Sequence, residues 1–359
     1  MHYKQPTRHI LWIGAALLAG ATGLQSCIKD APLNPEADIV AFTVAPDALA
    51  GNVTIDQANR RIQLYLTAAA YQKGIVPVLQ LSPGATSVPA SGDSIHFNQP
   101  VRYTVTSQSG ANSKTYDVTV ISLSSWFFNF DTWAQNPTDK YDYPVEPDGA
   151  LLWSSGNPGV ALSGVPKDRL EYPTRSTTDS YTGPFAAEMV TRAGTPLSGL
   201  AGIKLFAGSI FLGTFNSQNA MAKPLEATEF GQPFSGRPTR FTGYYKYTPG
   251  PDYQDKSGNI ITGVQDSCSL YAVLFKGNTR LNGTNILTSD RILARAVLKD
   301  GSARSGYTRF DIPFEYVNGA DLSGDLMLAI VASSSKDGNQ YKGAVGSRLV
   351  IDSLNVIHQ

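Results

Sequence analysis

Glycine and proline interrupt this 359-residue chain so often, 33 and 22 times, that its apolar residues are confined to short bursts. Within those bursts the period is two: Ile39, Ala41 and Thr43 oppose Val40, Phe42 and Val44, and Ile62, Leu64 and Leu66 oppose Arg61, Gln63 and Tyr65. Alternation at that spacing is the mark of half-buried strands, and Gly, Pro and Asn supply the turns between them. Strand-like runs recur at 203–207, 241–247, 270–275, 292–298, 310–316, 326–332 and 348–351, while helical periodicity is nearly absent. The chain is therefore expected to be all-β. It is long enough for two domains with their own cores.

The first 27 residues have another character. His2, Lys4, Arg8 and His9 precede an apolar run from Ile10 to Leu24, too short for a comfortable membrane span, and small Ser26 stands before Cys27. Leu24-Gln25-Ser26-Cys27 resembles a bacterial lipobox, with Gln25 an unusual filler. The resemblance implies that Cys27 carries a diacylglyceryl thioether, that the chain is cut before it, and that the mature protein is membrane-anchored through lipid. The alternatives are an ordinary cleaved signal or a short anchor helix. Ile28 follows the cysteine where inner-membrane retention favours Asp, so the expected address is the outer membrane, on its periplasmic or cell-surface face.

Charge narrows the partners. Lys plus Arg and Asp plus Glu are equal at 29 each, so no basic field exists for nucleic acid. With Cys27 lipidated, Cys268 has no partner and is expected to be a small buried apolar residue.

Residues 28–37, with Pro32, Asn34 and Pro35, read as a tether, and 38–122 as a small sandwich. Leu81-Ser82-Pro83-Gly84-Ala85, Tyr103-Thr104-Val105-Thr106-Ser107 and Tyr116-Asp117-Val118-Thr119-Val120 resemble the immunoglobulin-like domains that precede the working domain of many bacterial surface lipoproteins. That resemblance implies a spacer. Ser122-Leu123-Ser124-Ser125 then leads into the aromatic entry Trp126-Phe127-Phe128-Asn129-Phe130-Asp131-Thr132-Trp133, and a second domain is assigned to 126–359. Phe128 to Trp133 and Leu349 to Leu354 look like the first and last strands of a jelly roll, which pair as neighbours in carbohydrate-binding examples.

Across 126–359 an ordered series of blocks appears. Trp153-Ser154-Ser155-Gly156-Asn157-Pro158-Gly159 is followed by Tyr172-Pro173-Thr174, Gly208 to Gly213, and Gly231-Gln232-Pro233-Phe234 with Arg237-Pro238. Gly243-Tyr244-Tyr245-Lys246-Tyr247-Thr248-Pro249-Gly250, Ser333-Ser334-Ser335-Lys336-Asp337-Gly338 and Gly343-Ala344-Val345-Gly346-Ser347 complete it. In this order they resemble the putative carbohydrate metabolism domain family. The resemblance implies a lipid-anchored jelly roll that handles glycans, and it transfers no catalytic residue.

Glycan contact needs aromatic rings for sugar C–H faces beside planar polar groups for hydroxyls. Trp153 with Asn157, Tyr172 with Arg175, and Tyr244 with Lys246 supply that mixture. Each has a packing alternative: Trp is usually well buried, and strand geometry turns Tyr245 away from Tyr244 and Lys246, so one side of that cluster faces the core. Trp126 and Trp133 are assigned to the core. Glu171, Glu188, Asp311 and Glu315 are available acids, but none sits in a recognisable catalytic block. A Ser-His-Asp triad or a zinc site lacks material, since His96 and His358 lie in the first domain and at the C-terminus. No cofactor is required. A structural calcium is the one candidate, with Asp131 and Asp352 as ligands from the first and last strands, against the alternative that Asp352 caps or turns the final strand.

The sequence thus points to an outer-membrane lipoprotein that binds an oligo- or polysaccharide through a C-terminal jelly roll, without assigned catalytic residues. Two alternatives stand: a glycoside hydrolase on the same fold, and an adhesion or structural subunit whose tyrosines meet protein.

Overall fold

In the strand Pro238–Thr248 the period-two pattern becomes geometry: Tyr245 and Tyr247 are buried, while Tyr244 and Lys246 between and beside them are only half-buried. The computed structural model describes residues 32–49, 53–66, 68–97, 99–120, 126–146 and 149–359. Cys27, the signal segment and the serines at 122–125 lie outside them. Among the described residues, this strand is part of a six-stranded antiparallel sheet ordered Thr174–Thr177, Ala186–Val190, Arg348–His358, Pro238–Thr248 and Arg304–Pro313, with Phe127–Phe128 added on Arg348–His358. The entry and exit of the domain meet there, Phe128 opposite Leu354 and Phe127 opposite Asn355.

A nine-stranded sheet packs against the inner face, with Ser209–Phe215, Leu326–Ser333, Ser269–Lys276 and Ile292–Val297 as its centre. Met189, Phe241, Tyr245, Tyr247, Phe310, Ile351 and Leu354 from one sheet meet Ile210, Leu212, Leu270, Leu274, Leu328 and Ile330 from the other in a single apolar core. The other face of the larger sheet is also covered, around Phe211, Phe230, Tyr271, Val273, Phe275 and Met327. Strands buried on both faces read as continuous apolar runs, as Leu326–Ser333 does. This is the expected jelly-roll sandwich.

Inward side chains from the two neighbouring strands close over the middle of Pro238–Thr248 and require glycine there. A Cβ on Gly243 would lie 2.7 Å from Leu354 Cδ2 and 2.9 Å from Phe310 Cζ. Opposite it the partner strand bulges, the register shifting between Thr242 and Tyr244 where Ser353 adopts φ 51°.

The N-terminal sandwich sets Ile39–Thr43 paired with Val78–Leu81 against a five-stranded sheet, over a core of Ile39, Phe42, Ile62, Leu64, Tyr103, Val105 and Tyr116. Two departures from simple alternation have physical causes. A register shift between Ile39 and Ala41 changes phase, so Ile39 and Phe42 both point inward. Gln63 and Tyr65, which should face solvent, are buried because the second domain covers them: Gln63 Nε2 donates to the Leu151 carbonyl, and Tyr65 joins the second domain's core. Arg280 Nη1 donates to Thr54 Oγ1 at 2.6 Å and Tyr141 Oη to Asn59 Oδ1 at 3.2 Å across the same junction. The first domain is therefore packed onto the second through the hairpin that runs from Thr54 to Tyr65.

Candidate functional site

The outer face of the six-stranded sheet carries a band of charge laid down by cross-strand pairing. Arg175 lies directly opposite Glu188, and Glu188 opposite Val350, two residues from Arg348 on the same face. Glu188 Oε2 accepts from Arg175 Nη2 at 2.5 Å and its Oε1 from Arg348 Nε at 2.5 Å, so both oxygens of a buried carboxylate are held by guanidinium groups. Alternation explains the placement: Ala187 and Met189, on either side of Glu188, enter the core.

Beside this band opens a cavity of about 530 Å³. Trp133 and Phe185, both half-buried, give it aromatic walls, and Asp142, Arg169, Arg175 and Glu188 give it a charged lining. The Trp133 indole donates to the Phe130 carbonyl at 2.7 Å, which fixes the ring and satisfies its polar edge. Asp142 Oδ2 accepts from Arg169 Nε at 3.0 Å and Nη2 at 2.7 Å, and from the Ser176 hydroxyl at 3.0 Å. The polar groups are thus preset by one another. Burial, and then the neighbouring guanidinium groups of Arg192 and Arg169, pull Arg175 below the usual arginine range against the opposing pull of Glu188.

The loop 178–185 straps across the same face next to the cavity. Its Asp179 pairs with Lys246 and, at 3.1 Å, with Arg348, and the Lys246 hydrogen bond draws the Asp179 carboxyl below its usual range. Tyr181 stacks on Tyr244 with ring centroids 3.6 Å apart, and Lys246 stands 4.6 Å over the Tyr307 ring. The peptide N–H groups of Tyr181 and Thr182 donate to Asp352 Oδ2 at 2.7 and 3.1 Å. Gly183, at φ +68°, is the tip of the strap. A Cβ there would lie 2.0 Å from Asp131 Oδ1.

These positions sort the residues singled out by sequence. Arg175 lines the cavity. Tyr244 and Lys246 share its sheet face but are engaged by the strap, Tyr244 beneath Tyr181 and Lys246 with Asp179. Trp153, Asn157 and Tyr172 do not form a solvent-facing platform. Trp153 is 3% exposed, its ring 5.1 Å from those of Phe128 and Phe130, because it pairs opposite the inward Leu212. Asn157 is wholly buried and ties two segments together, donating to the Thr174 carbonyl at 2.6 Å and accepting from the Thr174 N–H at 3.1 Å. Tyr172 is wholly buried with its hydroxyl on the Asp139 carbonyl at 2.8 Å. Trp133, assigned to the core, packs against the core with part of its ring and also walls the cavity. Phe185 and the Asp142–Arg169 pair were not singled out at all.

Asp131 and Asp352 do converge, but on the strap. A calcium takes six to eight oxygens, whereas Asp352 is occupied by two peptide donors and the Ser353 hydroxyl, and no group of three His, Cys, Asp or Glu that could hold a metal occurs among the described residues. Asp131 Oδ1 is buried without a hydrogen-bond partner among the described residues, but that one open oxygen beside an occupied Asp352 falls short of a calcium's six to eight. Desolvation raises the Asp352 carboxyl.

The late sequence blocks meet around a different carboxylate. Buried Asp266 accepts on Oδ2 from Ser335 Oγ at 2.6 Å, Ser347 Oγ at 2.7 Å and the Ala344 N–H at 2.8 Å. Thr191 reaches Ser334 at 2.7 Å and Ser335 at 2.6 Å in the same network. With every donor inside the protein, this network knits chain segments together and is shut off from ligand. Nearby Cys268 is buried, and desolvation pushes its thiol up to about 12.

Comparison with known proteins agrees with this architecture. Residues 129–357 match the family model described as putative carbohydrate metabolism domain, and residues 39–120 match the one described as SGBP, N-terminal. A putative glycoside hydrolase from Bacteroides thetaiotaomicron superposes with a TM-score of 0.84 at 34% identity, over 92% of this chain and 99% of that one. A second, from Bacteroides vulgatus, gives 0.60 at 32% identity, over 66% of this chain and 98% of that one. No curated protein matches the chain. With its second domain matched almost from end to end, this chain belongs to the putative carbohydrate metabolism domain family.

Proposed function

We propose that this protein is an outer-membrane surface lipoprotein, anchored through Cys27, that captures a carbohydrate in the cavity beside the six-stranded sheet. The observation that carries the reading is the cavity of about 530 Å³ walled by Trp133 and Phe185 and lined by side chains already locked in hydrogen bonds. Aromatic faces for sugar C–H groups beside fixed donors and acceptors form a preorganised glycan site. The exposed Tyr181 ring, backed by Tyr244 beneath it, offers further contact to a longer glycan.

A hydrolytic reading has one observation in its favour. Asp142 and Glu188 line the same cavity, and a glycosidase uses two carboxyl groups. Their surroundings suit fixed ion pairs: Asp142 is gripped by Arg169 and Glu188 by Arg175 and Arg348. A glycosidase acid instead needs a setting that keeps its proton for the leaving oxygen. Binding without cleavage is the reading the geometry favours. Incubating the lipid-free mature chain with a glycan panel, and following both retention and released products, decides between them. Retention without products is expected; products that disappear in Glu188→Gln would establish hydrolysis.

A further inference from the structure

We infer that the N-terminal domain sets one wall of the cavity through the positioning residues Asn59 and Arg61, and so takes part in ligand capture instead of serving only as a spacer. The inference rests on the glycan-binding reading and adds the residues that place its aromatic wall. That wall is a ribbon of two three-residue strands, Trp133–Gln135 paired with Asp142–Pro144. Trp133 lies opposite Pro144 and Gln135 opposite Asp142, so Trp133, Gln135 and Asp142 share one face of the ribbon and line the cavity from it. Tyr143 projects from the other face. Tyr141, two residues earlier, points the same way, its ring centroid 6.5 Å from that of Tyr143.

Both tyrosines meet the first domain. Tyr141 Oη donates to Asn59 Oδ1 at 3.2 Å, and Arg61 Nη2 donates to Tyr143 Oη at 3.2 Å with its guanidinium carbon 5.3 Å from the centre of that ring. Asn59 is itself fixed, its Nδ2 donating to Asp56 Oδ2 at 2.8 Å. At the turn of the ribbon Asn136 Nδ2 donates to the Ala58 carbonyl at 3.4 Å. An isolated two-stranded ribbon is marginal in water, so its placement depends on what grips it. The second domain holds the cavity face, through Asp142 with Arg169 and Ser176 and through the core contacts of Trp133. The first domain holds the opposite face. A cleft of about 210 Å³ lies between the domains beside these contacts, with Gln57, Arg60 and Lys114 on one side and Pro137 and Thr138 on the other. The grip is therefore a few discrete polar bonds rather than a packed seam, and losing them frees the ribbon to tilt. A ribbon that visits other positions weakens binding in proportion to the time it spends away.

The test compares the lipid-free mature chain with its Asn59→Ala, Arg61→Ala double variant, in which neither substituted residue lines the cavity. Acrylamide quenching of tryptophan emission is read without ligand, well below the melt. Trp126 and Trp153 are buried, so half-buried Trp133 supplies the quencher-accessible emission of the mature chain. A contact that only adds stability lowers the melting temperature and leaves native-state quenching unchanged, whereas a contact that places the ribbon changes it. Affinity is measured by calorimetry for whichever of cellohexaose, xylohexaose, mannohexaose and hexagalacturonate the native chain retains. Two ordinary hydrogen bonds bias a placement by on the order of tenfold, so affinity should fall by about that factor while Trp133 becomes easier to quench. The Tyr141→Phe, Tyr143→Phe variant deletes the same two bonds from the other side and keeps both rings. It should reproduce both changes, and it carries the decision if the first variant folds poorly. Where the native chain binds, either change without the other, or neither, overturns the inference and returns the first domain to the role of spacer. A native chain that retains none of these glycans, nor any from a wider panel, removes the glycan reading itself, and the quenching comparison then decides alone whether the first domain sets the wall.

Discussion

Arg348 Nε lies 2.5 Å from Glu188 Oε1 across two neighbouring strands, while the other end of the same guanidinium reaches Asp179 on the strap. One side chain therefore ties the cavity wall to the loop that lies over the adjoining sheet face. Stacking of Tyr181 on Tyr244 and the peptide bonds to Asp352 complete the attachment. The cavity and the tyrosine face are consequently two parts of one surface, ordered before any ligand arrives.

The strap should weaken in acid. Hydrogen bonding to Lys246, with Arg348 beside it, holds the Asp179 carboxyl below its ordinary 3.8, so the folded state binds that proton less readily than the unfolded chain. A depressed acid contributes stability above the unfolded value and loses it as pH falls through the folded one. Melting temperature followed downward from about pH 5 should therefore drop more steeply in the native chain than in Asp179→Asn. Parallel acid limbs would remove Asp179 from the strap's attachment.

Trp153 should behave as a core residue. It is packed against Phe128 and Phe130, and its indole N–H is buried with no hydrogen-bond partner among the described residues. Trp153→Ala should cost about 3 to 5 kcal/mol of stability through the cavity it leaves. Trp153→Phe should cost less, since it keeps most of the ring and deletes an unpaired buried donor. Denaturant melts of the two variants check the order, and an unchanged melt for the alanine variant would return Trp153 to the surface.

Calcium should be irrelevant to the fold. Melting with a chelator and with added calcium should coincide, because peptide donors occupy Asp352. Asp352→Ala should destabilise the strap by about 1 to 3 kcal/mol in all, because it removes the carboxylate oxygen that the Tyr181 and Thr182 peptide groups share. A melting temperature that rises with calcium in the native chain but not in that variant would restore the metal.

Much of this was legible in the sequence wherever strands are long. Eleven residues from Pro238 to Thr248 hold enough alternation to separate Tyr245 from Tyr244 and Lys246, and the pairing of Phe128 with Leu354 is the one that the resemblance to carbohydrate-binding jelly rolls implied. Short strands carry no such information. Trp133 and Trp153 each open a three-residue strand, so periodicity cannot say which ring faces the core, and tertiary pairing sends Trp153 inward opposite Leu212. Gln63 and Tyr65 misled for another reason: their outward face is covered by a second domain. Glu188 was identifiable from the inward Ala187 and Met189, but its two arginine partners come from separate strands, and Arg348 lies 160 residues away.

Anchoring through Cys27 is tested apart from the fold. Cys27→Ala should abolish labelling by a fatty-acid probe and move the protein from the detergent phase to the aqueous phase. Continued labelling would contradict the lipoprotein reading.

The most direct test of the central claim is calorimetric titration of a glycan retained by the native protein into Trp133→Ala, with melting measured on the same sample. If Trp133 walls a sugar site, its removal costs on the order of 1 to 3 kcal/mol of affinity, a magnitude borrowed from base stacking on aromatic side chains, in a variant that still melts cooperatively although the loss of core contacts lowers its melting temperature. Unchanged affinity in a well-folded Trp133→Ala variant would contradict the account and place glycan binding elsewhere on the molecule.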